Sequence, residues 1–328
     1  MATIQNNRLG IVEIAKRTNN GNVLTVSEVL SRTDELFMDM QWVPCNQVAA
    51  HVHTRRLSLP AGTWRKIGTG ATVETSHTKQ IVENAGTLES WAEVDELTVK
   101  SLIGDKQKFL NTEFVAFVQG LGQTATTAFC TADTQTNPEQ FDGLVIRTSS
   151  LGTYVKGCGG SGGDTTSVYF IQWGEDMVHG IYQPDLARPT ESAPVSMDNK
   201  GLQTAEDAST TARRDVFRAK FQMSMGLAVH DDRNLCRLTN IEDDPSGANI
   251  FEPDLAVQLL NSMMNRGRGA TMYAHQITLT QLDILAMDKG NVLYSIGTLW
   301  GEPVTMFRTN IPIRQLDAIG ITETAVSS

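Results

Sequence analysis

The stretch DKQKFLNTEFVAFVQGLGQTATTAFCTA, residues 105 to 132, decides the fold of this chain. Its apolar residues recur at steps of three or four, the spacing that forms one stripe along an amphipathic helix. Asp105 suits the N-cap because its carboxylate can accept hydrogen bonds from the free N–H groups of the first turn. An unbroken helix of this length would extend about 42 Å at 1.5 Å per residue. We therefore predict one long helix with the other elements arranged around it.

Two glycines interrupt this helix near its middle. Gly120 and Gly122 should each cost about 1 kcal/mol relative to alanine in a helix interior. Packing must therefore hold the helix together or bend it there. A core helix of an ordinary enzyme would show the same periodicity, so the rest of the chain has to decide its role.

The composition is that of a globular protein. The chain has 328 residues, of which 40% are hydrophobic and 20% are charged, enough for one large domain or two smaller ones. It has no run of about 18 apolar residues, and its N-terminus lacks the pattern of a secretory signal, so no membrane partner is expected. Its net charge of −10 argues against tight binding of duplex nucleic acid, which needs a basic face.

Residues 47 to 94 change to the period-two pattern of β-strands. Two extended limbs flank residues 60 to 76, which are rich in Gly, Thr and Pro, and this pattern predicts an elongated hairpin. A two-stranded ribbon is only marginally stable in water. We therefore expect something outside the monomer to cover it.

The predicted hairpin is basic. Between His51 and Gln80 it has five basic residues and one acid, Glu74, which gives +4 in a chain of net −10. A basic projection that carries a tryptophan is complementary to the acidic body of its own copies. A nucleic-acid-binding β-ribbon is the alternative. The candidate inter-subunit contacts are Arg55, Arg56, Trp64, Arg65 and Lys66.

The remaining segments predict helices and antiparallel strands, hence an α+β fold. Strands are predicted at residues 166–173, 177–182, 217–229, 234–241, 271–275, 292–296, 304–308 and 311–314. Helices are predicted within residues 25–40, at 253–265, and from Thr278 to about Met287. Thr278 with Gln281 resembles a capping box, with Thr280 as an alternative cap. Residues 186 to 212 are polar and predict a long connection or insertion.

No reactive cluster is evident. The histidines are His51, His53, His77, His179, His230 and His275, and the cysteines are Cys45, Cys130, Cys158 and Cys236. The cysteines form no CxxC pair, so reduced thiols are expected. His51 and His53 share a strand face and could ligate a metal, but no third ligand completes a motif. Cys158, in a glycine-rich loop without the lysine of a phosphate-binding loop, could be a nucleophile only if the fold brought His179 to it. We therefore predict no catalytic residue, cofactor or metal.

Several stretches, taken in order, carry a family resemblance. They are LPAGTWRKI (59–67), ESWAEVD (89–95), NPEQFDG (137–143), IQWGEDMVHGIY (171–182), MGLAVHDD (225–232) with residues 236–241, and residues 279–314. In this order the chain resembles the major capsid proteins of short-tailed bacteriophages, in the group related to those of phage epsilon15 and Bordetella phage BPP-1. Together the stretches span nearly the whole chain.

The resemblance implies the Hong Kong 97-type capsid fold. Its expected parts are an N-terminal arm (1–46), an extended loop (47–94), a peripheral domain (95–140) with a spine helix (105–132), mixed peripheral and axial strands (141–241) with a surface insertion (186–212), and an axial domain (242–328). The strands at 217–241 are expected to precede the unit at 270–314, in reverse of the prototype order.

The implied function is assembly into the icosahedral head shell that encloses double-stranded DNA without sequence-specific binding. The expected partners are copies of the chain in pentamers and hexamers, a separate scaffolding protein, a portal and a decoration protein. The expected location is the virion, after assembly in the host cytoplasm. The alternatives are a nanocompartment shell protein of the same fold and an enzyme of unknown class.

Overall fold

The structure of this chain is a computed structural model. It describes residues 18–19, 22–23, 35–48, 50–101, 105–184, 195–206, 212–244, 247–287, 294–299, 302–307 and 311–327. Most of the predicted N-terminal arm (1–46) lies outside these ranges, but residues 18–19, 22–23 and 35–46 of it are described. Most of the helix predicted within residues 25–40 also lies outside them, and its last part is present as Glu35–Asp39.

The elements are numbered here in chain order. The helices are α1 (Glu35–Asp39), α2 (Glu96–Ser101), α3 (Lys106–Thr131), α4 (Leu144–Arg147), α5 (Pro253–Ser262) and α6 (Gln276–Met287). The first strands are β1 (Thr18–Asn19), β2 (Asn22–Val23), β3 (Trp42–Pro44), β4 (Ala50–Ser58), β5 (His77–Asn84), β6 (Gly86–Asp95), β7 (Val155–Gly157) and β8 (Thr165–Gln172). The others are β9 (Val178–Tyr182), β10 (Val195–Glu206), β11 (Arg213–Val229), β12 (Leu235–Glu242), β13 (Ala270–Ala274), β14 (Tyr294–Leu299), β15 (Glu302–Phe307) and β16 (Ile311–Gln315).

The chain divides into two compact units. The first contains residues 1–34, 87–125 and 185–224, and the second contains residues 35–86, 126–184 and 225–328. None of the helices in the described ranges has the length and hydropathy needed to cross a membrane.

The long helix is confirmed as α3, which begins one residue after its predicted cap. The Asp105 carboxylate accepts hydrogen bonds from the backbone N–H groups of Gln107 (3.0 Å) and Lys108 (3.2 Å). In the first unit, Phe114 and Phe117 of α3 pack against Phe221 of β11, with ring centroids 6.0 and 6.2 Å apart. These aromatic contacts supply the packing that the glycines of this helix require.

The hairpin predicted at 47–94 is shorter than expected. Its return strand β5 ends at Asn84, and the next strand, β6, pairs with β11 in another sheet. The prediction of one limb to residue 94 is wrong because β6 continues the same period-two pattern. The break is at Gly86, where a Cβ would lie 3.0 Å from the backbone oxygen of Glu139, so the chain approaches another backbone closely there.

Within the polar segment predicted as a connection or insertion, Val195–Glu206 forms the strand β10, which pairs antiparallel with β11 over its length. The prediction of a connection is therefore wrong for Val195–Glu206. β10 ends its sheet and pairs on one side only, and most of its described side chains are exposed, so its sequence lacks the apolar alternation of a half-buried strand. Residues 185–194 and 207–211 lie outside the described ranges.

The second unit contains a mixed seven-stranded sheet in the order β14-β15-β16-β13-β8-β12-β7. Its inner strand β8, which lies between β13 and β12, is buried along its whole length. The helix α5 covers the sheet through Leu259 and Leu260, which join Phe170, Leu238 and Met272 in one core cluster. The strands predicted around 166–182, 217–241 and 271–275 are confirmed, and those near the C-terminus are shifted by a few residues.

The helix α6 begins earlier than its predicted capping box. It starts at Gln276, and Nδ1 of His275 accepts a hydrogen bond from the backbone N–H of Ile277 at 3.2 Å. The Gln281 side chain instead bonds outside the helix: its Oε1 accepts from the Phe251 N–H (3.0 Å) and its Nε2 donates to the Glu242 carbonyl (2.7 Å). The capping-box prediction is therefore wrong, because Gln281 serves a tertiary contact.

Candidate functional site

The extended hairpin, residues 50 to 84, consists of β4 and β5 with the segment that joins them. The strands pair antiparallel from Ala50 opposite Asn84 to Ser58 opposite His77. Residues 59 to 76, called here the hairpin tip, form neither helix nor strand, and every one of them is exposed. The structure thus contains the projection that the sequence predicts, with an irregular end.

The hairpin tip is organised by its own polar contacts. Oε2 of Glu74 accepts hydrogen bonds from the backbone N–H groups of Ala61 (2.8 Å) and Gly62 (3.2 Å). The backbone N–H of Thr69 closes a turn on the carbonyl of Lys66 at 3.1 Å. Glu74 is the one acidic residue of the hairpin tip, and its carboxylate is used in these backbone hydrogen bonds. The side chains of Arg65 and Lys66 are exposed to solvent.

Large apolar side chains stand on the hairpin tip without cover. The exposed fraction is 105% for Trp64, 99% for Ile67 and 93% for Val73. No residue of the described chain packs over the Trp64 ring. Arg65 and Lys66 lie in the same exposed stretch, so the tip combines an aromatic side chain with two positive charges. Tryptophan and arginine are enriched at protein interfaces, whereas lysine is depleted there.

The predicted contact residues separate into two groups. Arg56, Trp64, Arg65 and Lys66 are exposed. Arg55 is instead only 30% exposed, and its Nη2 lies 2.7 Å from Oδ2 of Asp232 in the same chain. Arg55 therefore joins the hairpin to its own body, and its charge is already partnered.

A buried ion pair fixes the return strand. Arg147 forms a two-pronged contact with Glu83, at 2.9 and 2.5 Å, and donates further to the backbone oxygens of Asp142 (2.9 Å) and Leu227 (3.0 Å). Such a bidentate pair sets geometry as well as energy. Gly226, beside Leu227, has no room for a Cβ, which would lie 2.5 Å from the Asn84 carbonyl oxygen. The end of β5 is therefore packed closely against β11.

Four histidines meet where the hairpin joins the rest of the second unit. This histidine cluster consists of His51 and His53 from β4, His179 from β9, and His230, which directly follows β11. The ring centroids of His51 and His179 are 5.5 Å apart, and those of His179 and His230 are 5.1 Å apart. His53 stacks on His230 at 4.1 Å with the planes 13° apart.

The sequence pattern predicts His51 and His53 on one face of a strand. It does not predict that His179 and His230 lie beside them. His179 and His230 are brought in by the pairing of β9 with β11, and no local pattern marks that contact. Burial lowers the pKa of His179 to about 4 and also lowers the pKa values of His53 and His230. These three rings are therefore neutral near pH 7, with nitrogen lone pairs available.

The suggested nucleophile Cys158 does not have the character of one. Burial raises the pKa of its thiol to about 11, so the thiol stays protonated near neutral pH. The ring of His179 lies beside those of His51 and His230. None of the four cysteines, all of which lie in the described ranges, forms a disulfide.

The first unit contains a shallow groove of about 480 Å³ beside α3, called here the spine groove. It is lined by Leu88, Glu89, Ser90, Ala116, Phe117, Gly120, Leu121 and Thr124. A Cβ at Gly120 would meet no heavy atom of the described chain within 4 Å. The chain's own packing therefore does not require glycine at this position, although glycine weakens the helix.

Comparisons with known proteins agree with this architecture. The family model of the major capsid protein GP7 matches residues 18–327. The chain is similar in structure to bacteriophage epsilon15, at 24% identity and a TM-score of 0.74, with 100% of both chains covered. It is also similar to the bacteriophage JBD30 capsid, at 8% identity and a TM-score of 0.50, with 89% of this chain and 93% of that chain covered. A search of curated proteins found no match.

Proposed function

Because this chain belongs to the major capsid protein GP7 family, we propose that its extended hairpin is the contact through which copies assemble. The protein is a phage head shell protein with the Hong Kong 97-type fold. The observation that carries the proposal is the uncovered Trp64 on an ordered projection. Apolar surface of this kind gains about 25 cal/mol for each Å² removed from water, so it favours burial against another chain.

The spine groove of a neighbouring copy is the receiving surface that we propose. It has apolar walls from Leu88, Phe117 and Leu121, and Gly120 leaves it open. A tip on one copy and a groove on the next make a heterologous contact, and such contacts close into rings when the rotation permits. The unexplained glycine in the helix is then needed by the neighbour rather than by the chain itself.

The charge of the hairpin tip selects an acidic neighbouring surface. The acids of β6 are not free for this role, because Glu93 pairs with Arg214 (3.1 Å) and with Arg218, and Glu89 pairs with Lys220 (2.9 Å). The positive charges of Arg65 and Lys66 would therefore pair with other acidic residues of the neighbouring copy, or would speed association by attraction at longer range.

The family also suggests a wider assembly. We propose that copies form pentamers and hexamers, that a separate scaffolding protein, a portal and a decoration protein complete the head, and that assembly takes place in the host cytoplasm. The shell would enclose DNA without sequence-specific contact, in keeping with the net charge of −10. Membership of a capsid protein family favours this role over the nanocompartment alternative.

The first test removes the charge of the hairpin tip. Arg65→Gln with Lys66→Gln should lower the yield of shells at least tenfold, because about 1.4 kcal/mol lost at each contact is a tenfold change in its equilibrium constant. The fold of the unassembled chain should not change, because both side chains are exposed. Sedimentation of particles and circular dichroism of the unassembled chain give the two readouts.

The control for this pair is Arg65→Lys with Lys66→Arg, which keeps both charges and should assemble like the wild type. Arg55→Gln, which breaks the pair with Asp232, tests the base of the hairpin separately. Equal shell yields from the charge-removed pair and the wild type would contradict the role of these charges.

The second test fills the spine groove. Gly120→Leu should stabilise the isolated helix by about 1 kcal/mol, since glycine is the poorer helix former. The same substitution should block assembly if a neighbouring tip occupies the groove. Gly122→Leu is the matched control, because Gly122 gains the same helix propensity and does not line the groove. Normal shells from Gly120→Leu would exclude the groove as the receiving surface.

A further inference from the structure

We propose that His51, His179 and His230 form a binding site for a divalent transition-metal cation of the zinc class at the base of the hairpin. One ring nitrogen from each of the three histidines can be chosen so that all lie within 4.8 Å of one another. All three residues belong to the second unit. The site is a hypothesis about this chain itself and does not rest on the proposed role of the hairpin in assembly.

The ligand set selects the class of metal. Neutral imidazole suits zinc, copper and nickel, whereas magnesium and calcium prefer oxygen ligands. Zinc binds histidine nitrogen at about 2.0 to 2.1 Å, which in a tetrahedral site places the nitrogens roughly 3.4 Å apart. His51 and His230 are both half-buried, so small side-chain rotations can draw the three nitrogens inward. A water molecule would then complete the tetrahedron.

The buried nitrogens of the cluster give independent support. Nδ1 of His51, Nε2 of His230 and both ring nitrogens of His179 are buried, and each has no hydrogen-bond partner among the described residues. His179 is 1% exposed, so its ring nitrogens are shielded from bulk solvent. An unsatisfied buried polar atom is destabilising, and a bound metal would remove that penalty for the nitrogen that coordinates it.

The surroundings of the three ligands favour a cation. His53 stacks on His230 and holds the plane of that ring, and its nitrogens are not needed as ligands. Glu175 and Asp176 act electrostatically on His230, as does Glu83, and their negative charge would attract a metal. Arg147 pairs with Glu83 and so offsets the charge of that carboxylate.

A metal at this position would connect three parts of the chain. His51 lies at the start of β4, His179 in the middle of β9, and His230 directly after β11. The bound ion would therefore fix the direction in which the hairpin leaves the second unit. The Glu83–Arg147 pair holds the return strand, and the metal would hold the outgoing one together with the Arg55–Asp232 pair.

The test uses the full-length, unassembled protein after treatment with EDTA. Co²⁺ is added as a spectroscopic probe, followed by Zn²⁺. We expect one Co²⁺ per chain, visible d–d absorption of a tetrahedral site, and displacement of Co²⁺ by Zn²⁺. His51→Gln and His230→Gln should each weaken binding by more than the roughly 10- to 100-fold that loss of an outer-shell partner costs.

The matched control is His77→Gln, because His77 lies on the same hairpin, is exposed and is outside the histidine cluster. It should bind Co²⁺ like the wild type. The proposal is overturned if wild-type protein takes up no Co²⁺, or if His51→Gln binds as well as His77→Gln. Shell yield is measured separately. A variant that loses Co²⁺ binding but still assembles supports the metal site, and its shell yield tests only the role of the hairpin in assembly.

Discussion

Trp64→Ala is expected to abolish shell assembly while the unassembled chain stays folded. Trp64 is completely exposed and sits between the ordered strands of a hairpin, so its own fold gains nothing from the ring. Truncation of a central interface tryptophan typically costs about 2 to 4 kcal/mol. A loss of about 2.8 kcal/mol weakens a contact a hundredfold. Because every copy in a shell would use the same contact, the loss recurs at each interface.

The measurement compares particle yield with chain stability. Sedimentation and micrographs report shells, and thermal unfolding of the unassembled protein reports the fold. Trp64→Phe is the matched control: it keeps an aromatic anchor and should retain part of the assembly. A wild-type shell yield from Trp64→Ala would show that the tip is not part of the interface. A lowered unfolding temperature would show that the ring has a role within its own chain.

Trp91 shows why exposure alone does not identify such an anchor. It is 42% exposed, yet its indole nitrogen donates to Glu89 at 2.7 Å, and Arg218 and Lys220 lie over its ring at 5.5 and 5.4 Å. The ring already serves its own unit. Trp64 has no such partners among the described residues, and this difference rather than the residue type marks it as an interface candidate.

The elements that could be predicted from sequence are those that local physics determines. The helix α3 follows from apolar spacing and the Asp105 cap, both contained within a few turns. The hairpin follows from alternation and a Gly-rich middle, but its end could not be predicted, because β6 has the same alternation and changes sheet at Gly86. A period-two pattern indicates that a segment is a strand, but it does not show which other strand that segment pairs with.

The histidine cluster could not be predicted for a related reason. His51 and His179 are separated by more than a hundred residues and meet only after β9 pairs with β11. The misplaced cap of α6 has the same origin, since Gln281 has the right spacing for a capping box but bonds to Phe251 and Glu242. Contacts between residues that are far apart in the sequence leave no local spacing pattern to detect.

Arg237→Met is expected to destabilise the second unit by about 3 to 5 kcal/mol, the usual result of removing one partner of a buried ion pair. The Arg237 side chain is 1% exposed and its partner Glu323 is 11% exposed, with the atoms 2.9 Å apart. The guanidinium also donates to Ser167 Oγ (3.0 Å) and the Thr148 carbonyl (2.9 Å). It lies 5.6 Å from the centre of the Tyr169 ring. One side chain therefore joins β12 to β8 and to the C-terminal segment.

A paired variant separates the charge from the packing. Arg237→Met with Glu323→Leu removes both charges, and because replacing a whole buried pair by apolar residues is often near neutral, this variant should recover much of the lost stability. Urea denaturation of the unassembled chain gives both values. The Glu323 backbone would still hold its segment, because its N–H donates to the Thr165 carbonyl at 2.9 Å. A single Arg237→Met variant within about 1 kcal/mol of wild type, well below the range for a broken buried pair, would mean that water or another residue replaces the lost cation.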